Sequence, residues 1–201
     1  MQDKTLVDVH CHVLPEMDDG SEAVDVSLAI LRQEKEQGVD VVCATSHYYA
    51  RQNSIPDFCA RRAEALKRLS AVLTDDLPRV LPAAEVAYFP HMEEQDLSPL
   101  CIQGTRTLML EMPFADWNDL QVEAVEALAL DCGYQVVLVH PERFCFSGSN
   151  RSQLRRLVHG VPVGRRHLSG GGPLGAGRQE HQRRAGALHC AQIRKTRPRP
   201  C

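Results

Sequence analysis

The chain has 201 residues, 43% of them hydrophobic, which is enough for one domain with a substantial core. Its net charge of −3 argues against a protein that binds nucleic acid as a whole. No run reaches the roughly 18 apolar residues of a membrane span. The start also lacks the pattern of a secretory signal, so we expect a cytoplasmic protein without membrane insertion. The eight cysteines include no Cys-x-x-Cys pair and are expected to be reduced thiols.

Short apolar runs alternate with amphipathic segments along the first 160 residues. The predicted strands cover residues 5–13, 39–45, 79–87, 107–112 and 135–139. The predicted helices cover residues 21–37, 56–73, 120–132 and 150–159. The strands are rich in Val and Leu and alternate only weakly, as expected when both faces are buried. Repeated strand–helix units predict an α/β fold with a parallel sheet or an α/β barrel.

The ends of the five predicted strands share a chemical property, because each carries side chains that can bind a metal. In chain order these are His10 and His12, His47, Glu85, Glu111 and His140. Sites in parallel α/β folds form at the carboxyl ends of the strands, so we expect these side chains to meet there.

The first of these strands contains the motif Asp8-Val9-His10-Cys11-His12. Residues two apart in a strand face the same side, so Asp8, His10 and His12 are predicted to point one way. Two imidazoles at this spacing can hold a divalent metal, with Asp8 orienting a ring from behind. The alternative is a pair of surface histidines on an edge strand.

Carboxylates near these histidines are further candidate ligands. Asp18 and Asp19 precede Gly20, a pattern that more often forms a turn and a helix cap, but beside the His pair one of them becomes a plausible ligand. Glu85 and Glu111 lie in apolar runs, where an unpaired carboxylate is costly. They must therefore be neutralised, paired or bound to metal, and Glu111 is typical of a ligand that bridges two metals.

The last strand is followed by His140-Pro141-Glu142-Arg143. His140 can ligate a metal, and the planar guanidinium of Arg143 suits a phosphate group. The alternative is a loop closed by a Glu142–Arg143 ion pair. The sequence contains no G-x-S-x-G, P-loop or Cys-x5-Arg motif. The residues therefore indicate a multi-metal hydrolase, and phosphoester hydrolysis is the predicted reaction.

Five segments in order resemble one family: VDVHCHVLPEMDDG, ATSHY, AAEV, LEMPF and VHPERF. Together they resemble the bacterial PHP-domain tyrosine-protein phosphatases, the manganese-dependent enzymes of capsule and exopolysaccharide clusters. The resemblance runs from about residue 6 to about residue 163. Generic PHP proteins share the H-x-H motif, whereas the D-D-G, E-V/L-Y and H-x-E-R motifs together resemble this branch. The resemblance implies a distorted PHP-type α/β barrel, incomplete at its C-terminal side.

The resemblance also implies roles for individual residues. The family's ligands to a cluster of three metals match His10, His12, Asp19, His47, Glu85, Glu111 and His140. Arg143 matches a phosphate-contacting arginine. Manganese is the implied metal, and the ligand types also suit iron or zinc.

The implied substrate is a phosphotyrosine protein, namely the tail of a bacterial tyrosine kinase. A homo-oligomer is a further possibility for the quaternary structure. The alternative within the same superfamily is a small-molecule phosphatase of the histidinol-phosphate type.

Residues 161–201 depart from the family. The expected late Asp-x-His motif is absent, and a Gly/Arg/Pro-rich stretch with nine basic residues and one acidic residue takes its place. We expect residues 1–160 to form a partial PHP domain. Residues 161–201 are expected to be a basic tail that is disordered or read out of frame. On this hypothesis the chain is an inactive, truncated fragment of the phosphatase.

Overall fold

The computed structural model describes residues 5–144, 146–160 and 189–190. Helices connect several of the strands, as the sequence predicts. The strands are β1 (Val7–Cys11), β2 (Val41–Ala44), β3 (His47–Tyr48), β4 (Arg79–Pro82), β5 (Glu85–Ala87), β6 (Thr107–Glu111), β7 (Gln135–Leu138) and β8 (His189–Cys190). The helices are α1 (Val24–Glu36), α2 (Ile55–Ser70), α3 (Asp119–Leu130), α4 (Pro141–Phe144) and α5 (Gly148–Gly160).

Two parallel sheets form the centre of the fold. One has the strand order β1-β2-β4, and the other has the order β3-β5-β6-β7-β8. Every pairing between neighbouring strands is parallel. The predicted α/β class with parallel strands is therefore confirmed.

Two of the predicted strands are broken, and each contributes to both sheets. The strand predicted over residues 39–45 ends at Ala44, and the chain resumes as β3 at His47 in the second sheet. The strand predicted over residues 79–87 ends at Pro82 and resumes as β5 at Glu85. The prediction of one continuous strand over residues 79–87 is wrong, and both His47 and Glu85 begin short strands instead of following the end of a long one.

Hydrogen bonds continue across these breaks and hold the two sheets together. The amide of Thr45 donates to the carbonyl of Cys11 at 2.9 Å. The amide of Glu85 donates to the carbonyl of Ser46 at 3.1 Å, and His47 pairs with Glu85 in the register of β3 and β5. The backbone thereby sets two candidate ligands side by side.

The strands β2, β6 and β7 bury both faces, as their apolar composition predicts. Alternate residues of β2, β6 and β7 contribute to a large hydrophobic cluster that includes helix residues Leu31, Phe58 and Leu128. The residues between them form a second cluster: Cys43, Ala83, Ile102, Met109, Val137 and Val139. Because Cys43 lies in the first sheet and Met109 in the second, the two sheets face each other across this second cluster.

Several ends of the long helices lie at local signals. The side chain of Ser54 caps α2 by accepting from the amide of Asp57 at 3.2 Å, and Asn118 and Gln121 form a capping box at the start of α3. Gly38 follows α1 at a φ of 84°, a left-handed conformation that glycine adopts without strain. None of the helices in the described part of the chain has the length and apolar character needed to span a bilayer.

The predicted basic tail, residues 161–201, lies outside the described residues apart from β8. That two-residue strand pairs with β7 through Val137↔His189 and Leu138↔Cys190. The boundary near residue 160 and the out-of-frame origin of the tail stay predictions.

Candidate metal centre

Glu85 is the centre of the candidate site. Its side chain is fully buried, yet four imidazoles surround its carboxylate. The nearest ring nitrogens lie 2.7 Å (His10 Nε2), 3.0 Å (His12 Nε2), 3.6 Å (His47 Nδ1) and 3.4 Å (His140 Nε2) from its oxygens. The prediction that Glu85 must be paired or metal-bound identified the centre of the site from the cost of burying a carboxylate.

The electrostatics of this cluster favour a cation. Burial alone would raise the pKa of Glu85, but hydrogen bonds with His10 and His12 and the positive potential of His10 and His47 outweigh it and lower that pKa. Burial alone would lower the pKa of His12, but hydrogen bonds with Asp18 and Glu85 raise it to about 10. A proton and a divalent metal compete for the same imidazole lone pair, so surroundings that hold a proton this firmly also suit a metal.

All seven residues predicted as metal ligands lie together. They form three overlapping groups whose potential ligand atoms lie within 4.8 Å of one another: His10, Glu85 and His140; His12, Asp19 and His47; and His47, Glu85 and Glu111. Asp19 is at the rim, with its side chain 87% exposed and its Oδ1 atom 3.7 Å from Nε2 of His47. His47 and Glu85 each belong to two of these groups. The three groups therefore form one centre with several adjacent candidate metal positions.

Unpartnered buried atoms support the fit of this residue set to metal ions. Within the described residues, Oε1 of Glu85, Nδ1 of His47 and Nδ1 of His140 are buried and have no hydrogen-bond partner. Such atoms are uncommon in native proteins because each carries a desolvation cost. Imidazole nitrogens and carboxylate oxygens are also the donors that manganese, iron and zinc accept. The residues therefore fit a cluster of divalent ions.

Glu111 adds a second buried carboxylate to the site. It is 9% exposed, and burial followed by the charge of Glu85 raises its pKa. Two carboxylates in one buried group repel each other unless a cation lies between them. Glu111 thus strengthens the preference of the site for a metal.

His140 reaches the site through an unusual backbone conformation. Its φ of 50° lies in the left-handed region, which a residue with a side chain adopts at a cost of about 1–3 kcal/mol. The carbonyl of His140 then accepts from the amide of Arg143 at 2.8 Å, which closes the first turn of α4. One strained residue therefore aims an imidazole at Glu85 and starts the helix that carries Arg143.

Asp18, next to the predicted ligand Asp19, supports the site from behind. Its Oδ2 atom accepts from the amide of His47 at 2.8 Å and lies 2.8 Å from Nδ1 of His12. Its Oδ1 atom accepts from the amide of Gly20 at 3.1 Å. Asp18 fixes the ring orientation of His12 and leaves Nε2 directed at Glu85, the arrangement common behind metal-bound histidines.

Asp8 hydrogen bonds within its own strand, and its predicted role behind an imidazole stays a prediction. Its carboxylate accepts from the backbone amide of His10 at 3.0 Å and from the thiol of Cys11, not from an imidazole. The register between β1 and β2 shifts here, because the four residues from Asp8 to Cys11 lie opposite the three residues from Val42 to Ala44. The extra residue breaks the strict alternation on which the prediction depended.

Arg143 lies at the edge of the centre. Its NH1 atom is 3.5 Å from Oε1 of Glu111, and its side chain is 42% exposed. Its guanidinium also lies over the ring of Phe114, 5.5 Å from the ring centre. An arginine that is anchored at one side and open at the other can receive an anion beside the metal cluster.

Most of the sequence matches a known family. A family model described as "Capsular polysaccharide synthesis, CpsB/CapC" matches residues 6–164. The chain belongs to the CpsB/CapC family.

Relatives of this CpsB/CapC chain include curated phosphatases. Tyrosine-protein phosphatase YwqE from Bacillus subtilis is 32% identical over 164 residues, which cover 76% of this chain and 61% of YwqE. Tyrosine-protein phosphatase CpsB from Streptococcus agalactiae is 23% identical over 163 residues, covering 77% and 64%.

A solved structure resembles the fold as well. It comes from work on YwqE from Bacillus subtilis and CpsB from Streptococcus pneumoniae, described as unique metal-dependent tyrosine phosphatases. The TM-score is 0.59 at 26% identity, and the match covers 77% of this chain and 62% of the other. The CpsB/CapC chain thus spans less than two thirds of the length of these relatives.

Two aromatic residues around the centre of this CpsB/CapC chain were not predicted from the sequence, and Asp18 was named there only as an alternative ligand to Asp19. Tyr49 stacks on His47, with ring centres 5.3 Å apart and an interplanar angle of 25°. Phe114 contacts Arg143. Their positions next to ATSH and LEMP were visible in the sequence, but their contacts depend on tertiary structure.

Proposed function

We propose that this chain is a metal-dependent phosphatase that hydrolyses phosphotyrosine in proteins. The observation that carries the proposal is the convergence of four imidazoles on the buried carboxylate of Glu85, with Glu111 and Arg143 beside it. The similarity to YwqE and CpsB, both named tyrosine-protein phosphatases, supports the same activity.

The proposed metal ligands are the seven residues of the three overlapping groups: His10, His12, Asp19, His47, Glu85, Glu111 and His140. Divalent ions held there would supply Lewis acidity toward the phosphoryl oxygens and a water of lowered pKa. We propose manganese as the metal, and iron and zinc are the alternatives that the same donors accept.

Arg143 has the complementary role of binding the phosphate. Its anchoring contact with Glu111 limits the motion of the guanidinium, and its exposed side leaves N–H groups free to donate to phosphate oxygens. Because these N–H groups are already in place, they stabilise charge on the equatorial oxygens without reorganisation during the reaction.

We propose the phosphorylated tail of a bacterial tyrosine kinase as the substrate, in capsule or exopolysaccharide synthesis. The description of the matching family supports this setting. We also propose that the two sheets belong to a PHP-type barrel, since their inner residues share the second hydrophobic cluster. A cytoplasmic location and a homo-oligomer stay predictions.

The direct test measures phosphate release from a phosphotyrosine peptide with manganese, with a chelator, and with histidinol phosphate as the competing substrate. We expect turnover of the peptide that the chelator abolishes. His10→Asn should lower kcat by at least about 100-fold, because it removes a ligand. His91→Asn is the matched control, since His91 is 75% exposed and its ion pair is with Glu94, away from the centre.

Three results would contradict the proposal in different ways. Full turnover in the presence of chelator would exclude the metal mechanism. Preference for histidinol phosphate would assign the small-molecule alternative. A chain that binds no manganese and hydrolyses neither compound would support the inactive-fragment hypothesis.

A further inference from the structure

Phe114 is an exposed aromatic side chain beside a strongly polar centre. It follows β6 by three residues and is 61% exposed. Large apolar side chains exposed singly are common, so exposure alone carries no functional meaning. The position of this ring relative to Arg143 and Glu111 distinguishes it from the other exposed residues.

The ring of Phe114 is linked to the candidate metal centre by one side chain. The guanidinium of Arg143 lies 5.5 Å from the ring centre, and its NH1 atom is 3.5 Å from Glu111. A phosphate group received by Arg143 would therefore bring the group esterified to it close to Phe114. Tyr49, the other aromatic residue at the centre, already stacks on His47.

We propose that Phe114 contacts the aromatic ring of the substrate and makes the site select aryl phosphates over alkyl phosphates. This inference rests on the proposed phosphatase function and adds a specificity-determining residue to it. The face or edge of Phe114 that Arg143 leaves open is available to a second ring, in the offset or edge-to-face arrangements that aromatic pairs prefer. An alkyl phosphate offers no such partner.

The test compares the binding of two phosphonates that cannot be hydrolysed, phenylphosphonate and methylphosphonate. Calorimetric titration of the manganese-loaded chain gives the ratio of their dissociation constants without any turnover. We expect the chain to prefer phenylphosphonate, and Phe114→Ala to reduce that preference by about three- to tenfold, the range of measured aromatic pairs. Phe114→Trp should retain the preference.

Phe146→Ala is the matched control. Phe146 is 83% exposed, and the contact between Arg143 and Phe114 does not involve it. This variant should leave the ratio of the two dissociation constants unchanged.

If Phe114 only positions Arg143, the result is different. The affinity of Phe114→Ala for both phosphonates would then fall by the same factor. That equal loss, equal affinity of the parent chain for the two ligands, or no binding of either would overturn the inference. Failure of the proposed function is seen separately, as an absence of phosphotyrosine peptide turnover in a chain that still shows the binding preference.

Discussion

The Oδ2 atom of Asp18 lies 2.8 Å from Nδ1 of His12 and fixes which nitrogen of that ring faces Glu85. Asp18→Asn keeps the size of the side chain but removes its charge. We expect manganese affinity to fall by about 10–100-fold, as for other residues that orient metal-bound histidines. A titration followed by calorimetry measures the change. Asp96→Asn is the control, since Asp96 hydrogen bonds with Ser98 and Tyr134 and should leave the affinity unchanged.

Gly20 is required where the loop after β1 passes His12. A methyl group at this position would lie 2.5 Å from the backbone oxygen of His12 and also against its Cβ atom. Gly20→Ala should therefore cost about 1–3 kcal/mol in the free energy of unfolding and weaken manganese binding, because His12 must shift. Urea denaturation measures the first effect. Gly148→Ala is the control, since a Cβ there meets nothing within 4 Å. Equal stability of the two variants would show that the loop relaxes freely.

Asn150 joins three segments around Arg143. Its buried amide donates to the carbonyls of Ala115 and Phe144 at 2.9 and 3.1 Å, and its oxygen accepts from the amide of Trp117 at 2.9 Å. Asn150→Ala leaves these backbone groups unpaired, so we expect a loss of about 2–4 kcal/mol in the free energy of unfolding.

The matched control for Asn150→Ala is Gln153→Ala on the same helix. Gln153 makes an exposed hydrogen bond to Asp119, and its loss should cost about 0.5 kcal/mol or less. Chemical denaturation monitored by circular dichroism compares the two variants. A cost for Asn150→Ala no larger than that of the control would contradict the proposed joining role.

Cys43 and Cys101 should resist alkylation. Burial raises the pKa of both thiols to about 11, with the charge of Asp8 adding to the effect at Cys43. The thiolate is the reactive form, and a raised pKa keeps it scarce below that pH. Iodoacetamide at about pH 8 should leave both residues unmodified in the folded chain, and labelling should rise as the pH approaches the pKa. Peptide mass spectrometry measures the result, and full labelling in denaturing urea is the control.

The sequence predicts the candidate site better than it predicts the sheets. The histidines and glutamates could be found because buried charge in apolar runs is costly and because parallel strands end at one edge. His47 and Glu85 nevertheless begin short strands in a second sheet. Which strand a segment pairs with depends on contacts distant in sequence, so the two breaks had no local signal apart from Pro82.

The supporting residues were harder to predict for a different reason. Asp18 and Asp19 are neighbours in a turn, and only the tertiary path of that turn decides which carboxylate meets His12. Asp8 accepts from the backbone amide of His10 beside a register shift in β1, and a strict alternation pattern does not predict such a shift. Asn150 looks like an ordinary helix start in the sequence, since its partners lie up to 35 residues away.

The left-handed backbone of His140 implies a conflict between selection for stability and selection for activity. A residue that tolerates this conformation, such as asparagine, would relieve strain while deleting an imidazole from the centre. Substitutions that increase stability alone would therefore tend to remove the histidine at this position first. Lineages that still need the activity must keep the histidine and compensate for its strain elsewhere in the molecule.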